Sequence, residues 1–210
     1  MKTIGLLGGM SAASTQIYYR RLCDLTREAL GGLHSPELII RSVDFAPIAA
    51  AQAAGDWAGL GARLNHEARR LEQAGAEMIV LATNTMHKLA EPMMQGVSIP
   101  LVHVAEAVAS AIAAAGLRRP GLMATAFTME QAFYTDVLRA AGLAPLIPEA
   151  GDRAEIHRII YTELCRDVVS DASRHIFEDI ARRLADAGAD SLILGCTEVG
   201  MLLSPQNVPV

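Results

Sequence analysis

The chain has 210 residues, of which 51% are hydrophobic and 20% charged, and a formal net charge of −5. That length and apolar content allow one large domain or two small ones with ample core. A weakly acidic balance with no basic stripe argues against nucleic acid as the main partner, and no apolar run reaches the length of a membrane span.

The N-terminus, MKTIGLLGGMSAAST, has one lysine and a short apolar stretch that Gly8-Gly9 interrupts. It reads as a first strand over residues 3–7 and not as a signal peptide, and the expected location is the cytoplasm. Residues 11–30 read as a helix with Ser11 as N-cap. Residues 37–44 are β-rich. Residues 57–74 form a helical pattern ended by Gly75. A strand over 78–82, a short helix over 85–95 and a short strand over 100–103 follow.

The pattern then restarts. Helices are expected at 105–115, 129–141, 153–166 and 172–187, with strands at 121–124, 145–147 and 191–195. Several strands are continuous apolar runs, as in parallel sheets covered on both faces. The βαβα order gives the α/β class. The expected division is an N-terminal α/β domain over 1–98 and a C-terminal one over 99–206, with a last strand from 207 returning to the first domain. Val208-Pro209-Val210 there matches Ile99-Pro100-Leu101, and in the first half that strand leads into a helix. The repeat therefore predicts further chain beyond Val210.

The restart is visible in the residues themselves. ARRLEQAGAEMIVLATNT (68–85) and ARRLADAGADSLILGCTE (181–198) share Ala, Arg, Arg, Leu, Ala, Gly, Ala and Leu at a constant offset of 113 without a gap. Each copy reads as a helix, a glycine turn and an apolar strand. Each ends in a polar cluster: Thr83-Asn84-Thr85 in one and Cys196-Thr197-Glu198 in the other.

Ligands of open parallel sheets sit beyond the carboxyl ends of the strands, where both clusters fall. Cys196 precedes a short helical pattern, and a helix N-terminus lowers a thiol's pKa, so a thiolate base or nucleophile is expected there. Thr83, Asn84 and Thr85 offer hydroxyls, an amide and backbone N–H groups to a carboxylate, or else cap a helix. His87 either orients a ligand or is structural. Gly8-Gly9-Met10-Ser11 lets a ligand approach the backbone, but it has neither the dinucleotide fingerprint nor the lysine of a P-loop. Cys23 and Cys165 lie in helical patterns and read as core. The other histidines, including His157, show no ligand spacing, and no metal motif is apparent.

Together, IGLLGGMS, TNTMHK, Thr125/Thr128-Met129 and GCTE resemble the aspartate/glutamate racemase family over nearly the whole chain and in the right order. The resemblance implies two pseudo-symmetric α/β domains with one active site between them, no pyridoxal phosphate or metal, and a homodimer. It implies a cofactor-independent racemase of aspartate or glutamate that moves a proton between two faces of Cα. Cys196 matches the second family cysteine, which works on the L-enantiomer. Thr83 stands where the first cysteine would be, which predicts a preference for the L-enantiomer as substrate. Asn84, Thr85, Thr125 and Thr128 match positions that hold the α-carboxylate or amino group. Met10, Ser11, Thr197 and Glu198 are expected to line the pocket. Arg153, with Arg158 as the alternative, is expected to hold the side-chain carboxylate. Competing readings are a maleate isomerase, arylmalonate decarboxylase or hydantoin racemase on the same scaffold, and a non-catalytic amino-acid-binding relative.

Overall fold

Strand β1 (Ile4–Gly8) has four consecutive buried residues after Ile4, so it is covered on both faces. It is an inner strand of a four-stranded sheet in a computed structural model that describes all 210 residues. Two parallel neighbours flank it, β2 (Leu38–Ser42) and β3 (Met78–Leu81), and β4 (Leu101–Val102) extends the sheet in the order β2-β1-β3-β4. Helix α1 (Ala12–Leu30) connects β1 to β2, with the Ser11 hydroxyl accepting from the Ser14 N–H as the cap. Helices α2 (Phe45–Ala54) and α3 (Trp57–Gln73) lead to β3. Leu60, Leu64, Ala68 and Leu71 recur at helical spacing on α3 and pack with Leu7, Ile48, Ile79 and Leu81 into one core.

After β3 comes a 3-10 turn over Thr85–Leu89 and then α4 (Ala90–Met94), where the sequence predicts one short helix. These elements belong to a compact unit spanning Met1–His103. The expected boundary at residue 98 moves because β4 pairs with β3 and stays with the first unit.

The second unit spans Val104–Val210. It holds α5 (Val104–Ala114), β5 (Pro120–Met123), α6 (Ala126–Glu130), α7 (Ala132–Ala140), α8 (Ala150–Thr162), α9 (Asp171–Asp186) and β6 (Ser191–Leu194). β5 and β6 pair in parallel. The strand expected at 145–147 is only a bridge between Leu146 and Gly121. The helix expected over 129–141 is two helices, because Gln131 is extended (φ −100°, ψ 144°). The strand expected from 207 is absent: residues 207–210 have no strand pairing, and Val208 packs against the core of the second unit.

The sequence repeat is a structural repeat. α3 and α9 end in the same way. Ala76 N–H donates to Leu71 O and Gly75 N–H to Glu72 O; Ala189 N–H donates to Leu184 O and Gly188 N–H to Ala185 O. These paired bonds form a Schellman motif, which needs a left-handed residue after the cap. Gly75 (φ 99°) and Gly188 (φ 93°) supply it. Each helix is thereby turned back into a parallel strand, β3 or β6.

Candidate active site

In the first unit the expected residues converge on one sheet edge. β1 and β3 are parallel neighbours, so Met10-Ser11 and Thr83-Asn84-Thr85 leave adjacent strands at the same carboxyl end. Ala82 N–H donates to Leu7 O across this edge. The turn after β1 is built by Thr15, whose Oγ accepts from Gly9 N–H at 2.8 Å and donates to Ser11 O at 2.9 Å. Gly9 has φ 89°, and a Cβ there would sit 2.2 Å from Val43 O. Ser11 and Met10 are buried.

Thr83 and Asn84 are half-buried and Thr85 is buried. Asn84 stands at the start of the 3-10 turn without using its side chain as a cap. His87, 3% exposed, lies within hydrogen-bonding distance of Thr83 O through Nδ1 at 2.7 Å. Burial and the neighbouring His103 ring lower its pKa to about 4, so the imidazole is neutral near pH 7.

In the second unit Thr125 and Thr128 follow β5, and Cys196-Thr197-Glu198 follow β6, again at the carboxyl ends of paired strands. Gly195 N–H donates to Met123 O across this edge. Gly195 is kept small by its surroundings: a Cβ there would meet Ala124 Cβ at 2.8 Å. The Thr125 and Thr128 hydroxyls are buried and 3.3 Å apart.

The Cys196 thiol donates to Glu198 Oε2 at 2.8 Å, and the Thr197 hydroxyl donates to the same oxygen at 3.1 Å. Glu198 is 4% exposed. The expected depression of the Cys196 pKa is reversed. Burial raises it well above its ordinary value, and the Glu198 carboxylate adds to this by its charge and by accepting the thiol proton. The opposing pull of the Glu198 N–H is the smallest effect. A single 3-10 turn cannot outweigh a carboxylate in contact with the sulfur. The resting group is therefore a thiol with a proton acceptor attached.

Arg153 is not presented as a bare cation. Its Nε donates to Glu130 Oε1 at 2.9 Å and its Nη1 to Pro148 O at 2.8 Å. Arg158 is exposed and paired with Glu155 and Glu163. Neither guanidinium therefore stands as the ready carboxylate fork that the sequence suggests.

Three residues passed over in the sequence belong to this region. His157, Tyr161 and Cys165 are spaced i, i+4, i+8 along α8 and the 3-10 turn that follows it, a spacing that places side chains on one helical face. His157 Nδ1 accepts from Ala126 N–H at 3.2 Å, and its ring lies 4.7 Å from that of Tyr161. Burial, Glu198 and Asp167 push the Cys165 thiol up to about 12. Burial raises the Tyr161 hydroxyl as well, with Cys165, Cys196 and Glu198 contributing.

Comparison with known proteins agrees with this layout. The profile of the Asp/Glu/Hydantoin racemase family matches residues 7–210. The chain is 41% identical to a Yersinia pestis protein proposed to be an Asp/Glu racemase, over all of this chain and 92% of that one, with a TM-score of 0.91. It is 34% identical to an aspartate racemase homologue from Pyrococcus horikoshii, over 100% of this chain and 92% of that one, with a TM-score of 0.84. It is 23% identical to the broad specificity amino-acid racemase RacX of Bacillus subtilis, over 95% of this chain and 87% of the relative. The chain belongs to the Asp/Glu/Hydantoin racemase family.

Proposed function

We propose that the protein is an amino-acid racemase of aspartate or glutamate that works without pyridoxal phosphate or metal and favours the L-enantiomer as substrate. The observation that carries this reading is the Cys196–Glu198 contact at the end of β6. As the Glu198 carboxylate takes the Sγ proton, the sulfur takes the proton from Cα of the L-amino acid. The C–H electron pair stays on Cα and delocalises into the α-carboxylate. The Thr83 hydroxyl returns a proton to the opposite face and regains one from water, and Glu198 releases its proton to solvent. Sulfur and Glu198 form a relay that removes the need for a free thiolate.

Thr83 is the weaker partner. An alcohol is far less acidic than a thiol, so it donates to a carbanion more readily than its alkoxide forms to attack the D-enantiomer. The L-preference proposed from this inequality is in the exchange of the α-proton, since the equilibrium between enantiomers ties kcat/KM for racemisation in the two directions together. Ser11, Met10, Asn84, Thr85, Thr125 and Thr128 are proposed to bind the substrate's polar groups, with Arg153 acting on the side-chain carboxylate only by leaving Glu130. Glu198 serves the thiol in this reading and not the substrate directly.

The protein is further proposed to act as a homodimer in the cytoplasm. Exposed Ile17, Tyr19, Leu25 and Leu30 on α1 support the first. Three free cysteines suit a reducing compartment and support the second. The test of the activity is incubation of the wild type and Cys196→Ser with L-aspartate and with L-glutamate, followed by chiral separation. The D-enantiomer is expected with the wild type and not with the variant. Equal conversion by both proteins refutes the reading.

A further inference from the structure

We propose that His87 is the positioning residue for Thr83: its Nδ1–H holds the Thr83 carbonyl, 2.7 Å away, and thereby fixes where the Thr83 hydroxyl is presented. This inference rests on the racemase reading above. A carbonyl oxygen only accepts, so the clamp places the proton of the neutral ring on Nδ1, in competition with the backbone of Asn84 and Val102, which also hydrogen-bonds the imidazole.

Thr83 is held from both sides. Its own N–H donates to Leu81 O at 2.9 Å, closing a three-residue turn as β3 ends. Its C=O is held by His87. With both peptide groups tied, the direction of Cα–Cβ is set. A hydroxyl that must meet a carbanion depends on such placement, since small displacements of a reacting group are costly.

His87 is itself fixed. Its N–H donates to Asn84 O at 3.0 Å, and the His103 ring meets it edge-on at 4.6 Å and 71°. His103 directly follows β4, the neighbour of β3, so the sheet that places Thr83 also places the ring behind its clamp.

The second copy of the repeat lacks this device. The position 113 residues on from His87 is Gly200, whereas the position matching Thr85 is Glu198. In that copy a side chain holds the sulfur of Cys196; in the first a side chain holds the backbone of Thr83. The duplicated units diverge where their two proton-handling groups differ. A thiol gains from an acceptor, whereas a hydroxyl that donates needs aim.

The experiment follows L-aspartate in heavy water with the wild type, His87→Leu, His87→Gln and His87→Asn. It compares deuterium exchange with retention against inversion. Asparagine places an N–H near the position of Nδ1; leucine and glutamine do not. In the leucine and glutamine variants inversion is expected to fall about tenfold, while exchange with retention changes little. The asparagine variant is expected to keep the wild-type ratio. Parallel loss of both processes, or an unchanged ratio in the leucine and glutamine variants, overturns the role of His87 while leaving the racemase reading intact. A wild type that catalyses neither process removes the racemase reading itself. Nitrogen-15 NMR of the imidazole gives a readout independent of activity: the Nδ1-protonated neutral ring is expected near neutral pH, and the Nε2-protonated tautomer contradicts the clamp.

Discussion

The Cys196 sulfur and the Glu198 carboxylate form a donor–acceptor pair at 2.8 Å. This couples the thiol's acidity to its usefulness. The same carboxylate that raises the thiol pKa provides the place for its proton to go. Glu198→Gln should therefore separate the two effects. Alkylation of Cys196 by iodoacetamide should need less alkaline solution than in the wild type, because the like charge is gone while burial remains. Racemisation should fall by about a hundredfold, because the proton acceptor is gone as well. Faster alkylation together with undiminished racemisation contradicts the relay.

His87 makes a second prediction, about stability. Its pKa is about 4 in the folded chain against an ordinary value of 6.5. Between these values the unfolded chain binds a proton that the folded chain does not. The contribution is fully present above pH 6.5, is lost as pH falls towards 4, and amounts to about 3 kcal/mol at most. Urea unfolding of the wild type and His87→Asn across this window checks it. The wild type should lose more stability on acidification, and parallel curves contradict the buried neutral ring.

The turn after β1 depends on Gly9. Its left-handed backbone and the closeness of Val43 N and O leave no room for a Cβ. Gly9→Ala should lower unfolding stability by at least about 2 kcal/mol, combining backbone strain with displacement of β2. Thermal unfolding measures it; a melting temperature equal to that of the wild type rules out the tight approach.

The duplicated unit was readable because its signals are local and strong. Helical apolar spacing on α3 and α9, a glycine at the left-handed position and an apolar run into a strand require no knowledge of the tertiary structure. Helix α2 was not read, because FAPIAAAQAA is apolar on nearly every face and offers no periodic stripe. The break at Gln131 is a backbone excursion inside a continuous helical pattern. The strand end at Cys196 was also legible, but the direction of its pKa was not. A thiol before a helix suggests depression; a carboxylate two residues on, folded back onto the sulfur, decides the opposite. Cys165 read as core and His157 as a scattered histidine, and Tyr161 was not considered, which hid their common spacing of four. Arg153 looked like a free charge because its ion-pair partner Glu130 lies 23 residues away and the Pro148 carbonyl that it also holds carries no charge to signal the contact.

The inequality between Cys196 and Thr83 is tested most directly by the initial rate at which each enantiomer of aspartate takes up α-deuterium in heavy water. L-Aspartate should exchange rapidly through Cys196, and D-aspartate should exchange far more slowly because a hydroxyl must serve as its base. Equal initial exchange from the two enantiomers contradicts the division of labour between sulfur and hydroxyl.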